Sequence, residues 1–214
     1  VAIPYCSTVK DLGLLIDSSL SWRPQVVEVC RKVIYTLRCL YRFKNFLPVS
    51  TKTVLVQTLV LPVLDYADVC YSDLSQDLLN KLDRLLNNCI RFIFGLRKYD
   101  HVSSYRSQLN WLPIRQRRYI RMLCTLFSIL YDPSVPEYLK CKFQFQSDTH
   151  SRHLRSADNS SLRVLSCRTG FLSDSFCAQA IRLWNTLPTD IRKAPNKISF
   201  KKMLRNHYLS LSQS

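Results

Sequence analysis

Glycine is scarce, at 3 of 214 residues. Few turns can then use positive φ, which argues against an all-β fold built on many tight hairpins. Glutamate is nearly missing: Glu28 and Glu137 are the two. There is no Gly-rich phosphate loop, no C-x-x-C, and no nucleophile paired with a base at a recognisable spacing. No run of eighteen uncharged apolar residues occurs, which argues against a membrane-spanning helix. Nothing at the start reads as a secretory signal. The nine cysteines (Cys6, Cys30, Cys39, Cys70, Cys89, Cys124, Cys141, Cys167 and Cys177) are odd in number. Most fall in apolar periodic runs, where Cys acts as a small hydrophobe. A reducing compartment is therefore expected: nucleus or cytoplasm.

Positive charge is abundant. Lys and Arg number 31 against 15 Asp and Glu, a net charge of +16. Such an imbalance opposes folding by self-repulsion and attracts polyanions. Nucleic acid is the leading partner, because neutralising phosphates releases counterions and supplies sequence-independent affinity. An anionic membrane surface is the second class of polyanion, but no membrane partner is expected. With 47% hydrophobic and 21% charged residues the chain is globular.

Hydrophobic spacing is mostly helical. Thr8–Asp17 reads as a short strand followed by a turn. Beyond Trp22, the residues Val26, Val27, Cys30, Val33, Ile34, Leu37, Leu40 and Tyr41 recur at three and four. Pro24 suits a first helical turn. Pro48 opens a second helix, which Pro62 should kink. Ser75 caps a third, with Leu78, Leu79, Leu82, Leu85, Leu86, Cys89, Ile90 and Ile93 on one face and Gly95 as its stop. A short helix near 102–109 precedes Trp111-Leu112-Pro113 and a long helix to about Tyr131. Residues 141–172 lose periodicity and read as a loop or irregular hairpin. Two last helices occupy about 174–187 and 198–210.

Basic residues gather in three places. Arg91, Arg97 and Lys98 follow the third helix. Arg115, Arg117, Arg118 and Arg121 recur at three and four on the long helix, where a cationic stripe could grip phosphate bidentately. Arg152, Arg155, Arg163 and Arg168 lie in the irregular segment, where a basic loop could follow a backbone. His150 and His153 with Cys141 and Cys167 give C-x8-H-x2-H-x13-C, which fits no common zinc site. Phe176, Ala180, Ile181, Trp184 and Leu187 form a stripe at helical spacing, a core pattern and not a base-stacking platform.

Tyr66-Ala67-Asp68 looks like the start of the Tyr-Ala-Asp-Asp signature of reverse transcriptases. The chemistry rejects the match. A two-metal polymerase needs paired carboxylates, and the next residue here is Val69. The segment also lies in a helical pattern, so its carboxylates are expected to cap neighbouring backbone at a helix kink.

Several motifs nevertheless resemble one family, the non-LTR (LINE-type, jockey-like) retrotransposon reverse transcriptases. Thr169, Phe171, Ser175, Phe176, Ala180, Leu183, Trp184, Asn185, Leu187 and Pro188 resemble the closing segment of their polyproteins. Lys10-x-Leu12-Gly13-x-x-x-Asp17-x-x-Leu20-x-Trp22 resembles the last palm strand before the thumb. Pro62, Leu64, Tyr66 and Tyr71 match a thumb pattern. Leu109-x-Trp111-Leu112-Pro113-Ile114 with Arg117 and Arg118, after Arg91-x-Ile93-x-Gly95, resembles a further element. The chain opens on Val1, and the resemblance implies a fragment.

The resemblance implies a mainly α fold with a short N-terminal β element and an irregular basic segment. Residues 1–22 would be the end of the palm, 23–140 a helical thumb-like domain, and 141–214 a basic loop with C-terminal helices. It implies a part of an RNA-directed DNA polymerase that grips template RNA and primer or target DNA beside an upstream palm and fingers. No catalytic residue, metal ligand or cofactor is expected within this chain; Mg²⁺ belongs to the palm. The alternative is a non-catalytic helical interaction module derived from a decayed element.

Overall fold

Leu12 and Gly13 turn the chain back on itself near its start. In the computed structural model, which describes residues 5–149 and 160–211, β1 (Thr8–Asp11) pairs antiparallel with β2 (Leu14–Asp17), Thr8 opposite Asp17. The two loop residues both have positive φ, +43° at Leu12 and +86° at Gly13. Positive φ at both positions is the type I′ pattern, whose twist matches that of the strands. A side chain at Gly13 would be strained, and its Cβ would lie 3.3 Å from the Tyr66 hydroxyl. That hydroxyl donates to the Leu12 carbonyl at 2.7 Å. The expected strand and turn is thus a complete hairpin, held from outside by Tyr66.

Asp17 then ties the hairpin to the first helix. Its carboxylate accepts from Ser19 Oγ (2.5 Å), Ser21 N (3.1 Å), Ser21 Oγ (2.9 Å) and Trp22 N (3.0 Å). Ser19 first, then Ser21 and Trp22, hold the Asp17 carboxyl well below the usual carboxylate range, against burial that pushes it up. Trp22 sits at φ +59°, a strained conformation for a bulky residue that these bonds offset. From the other side, Leu15 N donates to Gln25 Oε1 at 2.9 Å.

The chain divides into two units, Val1–Ile114 and Arg115–Ser214. In the first, α1 (Arg23–Tyr41) buries Val26, Val29, Val33, Leu37 and Leu40. It packs on α4 (Gln76–Phe94), which buries Leu78, Leu79, Leu82, Leu85, Leu86, Cys89, Ile90, Phe92 and Ile93. α2 (Val49–Leu59) also rests on α4. Pro62 lies in the first turn of α3 (Leu61–Asp65), where its missing N–H costs nothing. The expected kink is therefore a full break between two helices. Gly95 ends α4 at φ +70°, and the Gly95 and Leu96 N–H groups both donate to the Arg91 carbonyl. After α5 (Ser103–Gln108), Trp111 and Leu112 are buried, and Asp83 accepts from the Ile114 N–H at 3.0 Å at the start of α6 (Ile114–Tyr131).

In the second unit the core is aromatic. The Phe127 ring on α6 stacks on Phe200 of α12 (Lys197–Leu211), 4.4 Å between centroids. Trp184 of α10 (Phe176–Thr186) lies 5.7 Å from Phe200. This packing places α6 from Arg115 onward with the C-terminal helices. Four one-turn helices that the sequence did not reveal fill the connections: α7 (Glu137–Lys140), α8 (Gln146–Thr149), α9 (Gly170–Asp174) and α11 (Thr189–Arg192). The fold is mainly α with a short N-terminal β element. Among the described residues no helix is long and apolar enough to cross a membrane. All nine cysteines are free thiols; Cys89 and Cys124 are buried, with Cys89 pushed up to about 12 by burial. Four are exposed (Cys6, Cys39, Cys70 and Cys141) and three are half-buried (Cys30, Cys167 and Cys177).

Replacing Asp17 by Ala should lower stability by about 2 kcal/mol at neutral pH, since it strands two N–H groups near the start of α1. A carboxyl lowered by folding stabilises above its unfolded pKa of about 4, and that contribution fades as pH falls below it. Urea unfolding at pH 7 and pH 3 should show the gap between wild type and D17A narrowing in acid. A gap that widens in acid contradicts this role.

Candidate nucleic-acid interface

Arg91, Arg97 and Lys98 occupy the last turn of α4 and the turn after Gly95. The Arg97 N–H donates to Asp100 Oδ2 at 2.7 Å, and Arg91 Nη2 donates to the Asp100 carbonyl at 3.2 Å. Asp100 thus closes the turn with both its carboxylate and its backbone. Arg97 and Lys98 project as exposed side chains, while Arg91 is half-buried. Lys98 Nζ lies 5.4 Å from the Tyr99 ring centre.

A groove of about 390 Å³ lies beside this turn, bordered by Arg38, Tyr41, Asn88, Arg91 and Lys98 among others. Arg38 was not singled out in the sequence. The signal was present: Ile34, Arg38 and Tyr41 fall at spacing four and three on α1, one face along the helix. A second groove of about 370 Å³ near the hairpin holds Glu28 with Lys10 and Lys32. Glu28 pairs with Arg31 at 2.8 Å and Lys32 at 3.6 Å, so that groove is not a purely cationic one.

The arginines of α6 do not form the solvated stripe expected from their spacing. Arg115 is exposed, Arg117 and Arg121 are half-buried, and Arg118 is 4% exposed. All four engage neighbouring groups. The reason lies in the rest of the helix. Ile120, Met122, Leu123, Leu126, Phe127 and Ile129 are all buried, and a helix apolar on most sides leaves little face for solvent. Arg118 is therefore a buried cation in this fold, not a side chain open to phosphate.

Ser160–Arg168 is the better-defined basic segment. Trp184 Nε1 donates to the Ser160 carbonyl at 2.9 Å. Asn185 accepts from Leu162 N at 2.9 Å and donates to the Leu162 carbonyl at 2.8 Å, as a neighbouring strand would. Arg192 donates to Ser161 Oγ at 2.7 Å; burial lowers its guanidinium below the ordinary range. Across the segment, Gln146 N donates to the Ser161 carbonyl and Arg163 N to the Gln144 carbonyl, at 2.9 and 2.8 Å. Arg163 and Arg168 then stand exposed. Trp184 is fully buried, as its stripe predicted, and so are Ala180 and Ile181. The backbone clamp by Asn185 was invisible in the sequence, because its partner lies 23 residues away. Arg152 and Arg155, with His150 and His153, lie outside the described residues. Among those described, no three His, Cys, Asp or Glu side chains gather as a metal site.

Tyr66, Ala67 and Asp68 follow α3 in a turn, with Ala67 at φ +48° and Asp68 1% exposed. They do not lie between two strands. Tyr66 holds the hairpin turn, and Tyr71 Oη donates to the Tyr66 carbonyl at 3.3 Å. The likeness to a polymerase signature is therefore one of letters.

No protein-family model, curated protein or solved structure matches the chain.

Replacing Asn185 by Ala strands the Leu162 N–H and carbonyl, and should cost about 2 kcal/mol. The basic segment should loosen before the helices do. Limited trypsin digestion should cut at Arg163 and Arg168 faster in N185A than in wild type, with the helical circular dichroism retained. Equal cutting rates contradict the clamp.

Proposed function

We propose that the chain is the nucleic-acid-binding part of a LINE-type RNA-directed DNA polymerase, holding template RNA and primer or target DNA. One observation carries most of the weight. Arginines that reach solvent rest on neutral oxygens: Arg91 on a carbonyl, Arg106 on Asn87 Oδ1, and Arg182 on the Ser173 carbonyl and hydroxyl. Such partners orient a guanidinium without cancelling its charge. With a net charge of +16, the result is a surface that binds polyanions. The motif resemblance in both units supports the family reading. Catalysis and its Mg²⁺ belong to an upstream palm, with fingers as the other partner, and the compartment is nucleus or cytoplasm.

A helical interaction module is the second reading, and one feature favours it. Tyr35, Phe43 and Phe46 are 70%, 56% and 83% exposed around the end of α1, and apolar side chains grouped at a surface can mark a protein partner.

Titration of labelled RNA, DNA and hybrid duplex at several salt concentrations separates the two. Binding should weaken with log salt at a slope of about −0.9 per phosphate neutralised on duplex DNA and about −0.7 on single strands. Replacing exposed Arg97, Arg163 and Arg168 by Ala should flatten that slope by about 2 and weaken all sequences alike. Affinity no better than that of an unrelated protein of equal charge removes the nucleic-acid reading and leaves the interaction module.

A further inference from the structure

The groove between the ends of α1 and α4 has a composition suited to one kind of ligand. Arg38, Arg91 and Lys98 face it, together with Asn88, and no carboxylate is among its described lining residues. Arg38 and Arg91 lie in the last turns of their helices. Cations there offset the helix dipole, which amounts to about half a negative charge at each C-terminus. Two helix ends thus account for about one of the three positive charges, and a surplus of about two remains. Arg91 is held in place through one N–H, donated to the Asp100 carbonyl, of the five that a guanidinium offers.

The apolar wall matters as much as the charge. Tyr41 stands 39% exposed at the groove. Its ring is fixed from behind by Phe92, edge to face at 5.1 Å and 65°. Burial pushes the Tyr41 phenol above its ordinary range, with the nearby Arg91 charge opposing, so the ring stays neutral at physiological pH. Leu37 lines the same wall. An anion alone would need only the cations. A flat ring alone would need only the tyrosine. Phosphate and planar base occur together in a nucleotide.

We propose that this groove takes one nucleotide unit, its phosphate on Arg38, Arg91 and Lys98 and its base against Tyr41. The proposal rests on the nucleic-acid reading and narrows it. A paired base is covered by its stacked neighbours, whereas an unpaired base can leave the stack and lie on an aromatic side chain. The groove is therefore a site for an unpaired strand and contributes little to duplex binding. A volume of about 390 Å³ suits a small ligand and not a long stretch of chain.

The test uses the full chain and three probes: labelled U12 RNA, a 12-base-pair duplex, and free UMP. The groove variants are R38A/K98A and Y41L; R23A/R84A, at exposed positions elsewhere, is the charge-matched control. Y41L should weaken U12 binding roughly tenfold, leave its salt slope unchanged and spare the duplex. R38A/K98A should weaken U12 binding more than the control does and reduce the slope by about 0.7, the share of one phosphate. UMP binding that is lost in both groove variants identifies a free nucleotide as ligand; loss confined to U12 identifies the strand. Wild-type binding that is salt-dependent but unchanged in Y41L, with R38A/K98A no different from the control, overturns the groove and leaves the general reading intact. Wild-type U12 affinity no better than that of an unrelated protein of equal charge overturns both. Circular dichroism of each variant shows whether it is folded like wild type.

Discussion

A chain with sixteen more cations than anions stays folded only where apolar burial outweighs repulsion. That constraint shapes both units. In the first, α4 turns nine side chains inward and serves as the surface on which α1 and α2 rest. In the second, Phe127, Trp184 and Phe200 form an aromatic cluster. Fully burying a large apolar side chain contributes about 1.5–3 kcal/mol. Surface cations in water repel one another far more weakly, through high dielectric and salt screening. The cores can therefore carry an uncompensated surface, and the cost in stability remains as a capacity to bind anions.

Polar contacts then decide where the cations stand. Asp17 joins hairpin to helix, Asp100 closes the turn that presents Arg97 and Lys98, and Asn185 fixes the backbone ahead of Arg163. In each case a side chain binds main-chain groups and leaves a neighbouring cation exposed. The same logic explains Tyr66, which secures the Leu12-Gly13 turn from a distant point in the sequence. These are positioning contacts, and a motif reader meets them as unexplained letters.

The long helices could be read from spacing because burial of one face is a local, periodic property. The Gly95 stop and the Pro48 start are local as well. The hairpin was half visible: Thr8–Asp17 read as one strand and a turn, but the pairing of two four-residue strands leaves no periodic signal. The arginines of α6 misled for a definite reason. Charge spacing shows which residues share a face, and only tertiary packing shows whether that face meets solvent. Arg118 was buried by its neighbours' apolar side chains, which surround most of the helix. The groove was hidden because Arg38 and Arg91, on different helices, stand more than fifty positions apart in the chain. The one-turn helices of the second unit carry too few residues for a period to show.

Amide hydrogen exchange of the full chain, with and without a saturating single-stranded RNA, addresses the central claim most directly. If exposed cations on positioned turns bind nucleic acid, exchange should slow at residues 97–100 and 160–168. The apolar surface at Phe46, beyond the Tyr41 groove, should be unaffected. Unchanged exchange in both basic segments, or slowing confined to that apolar surface, would contradict the account.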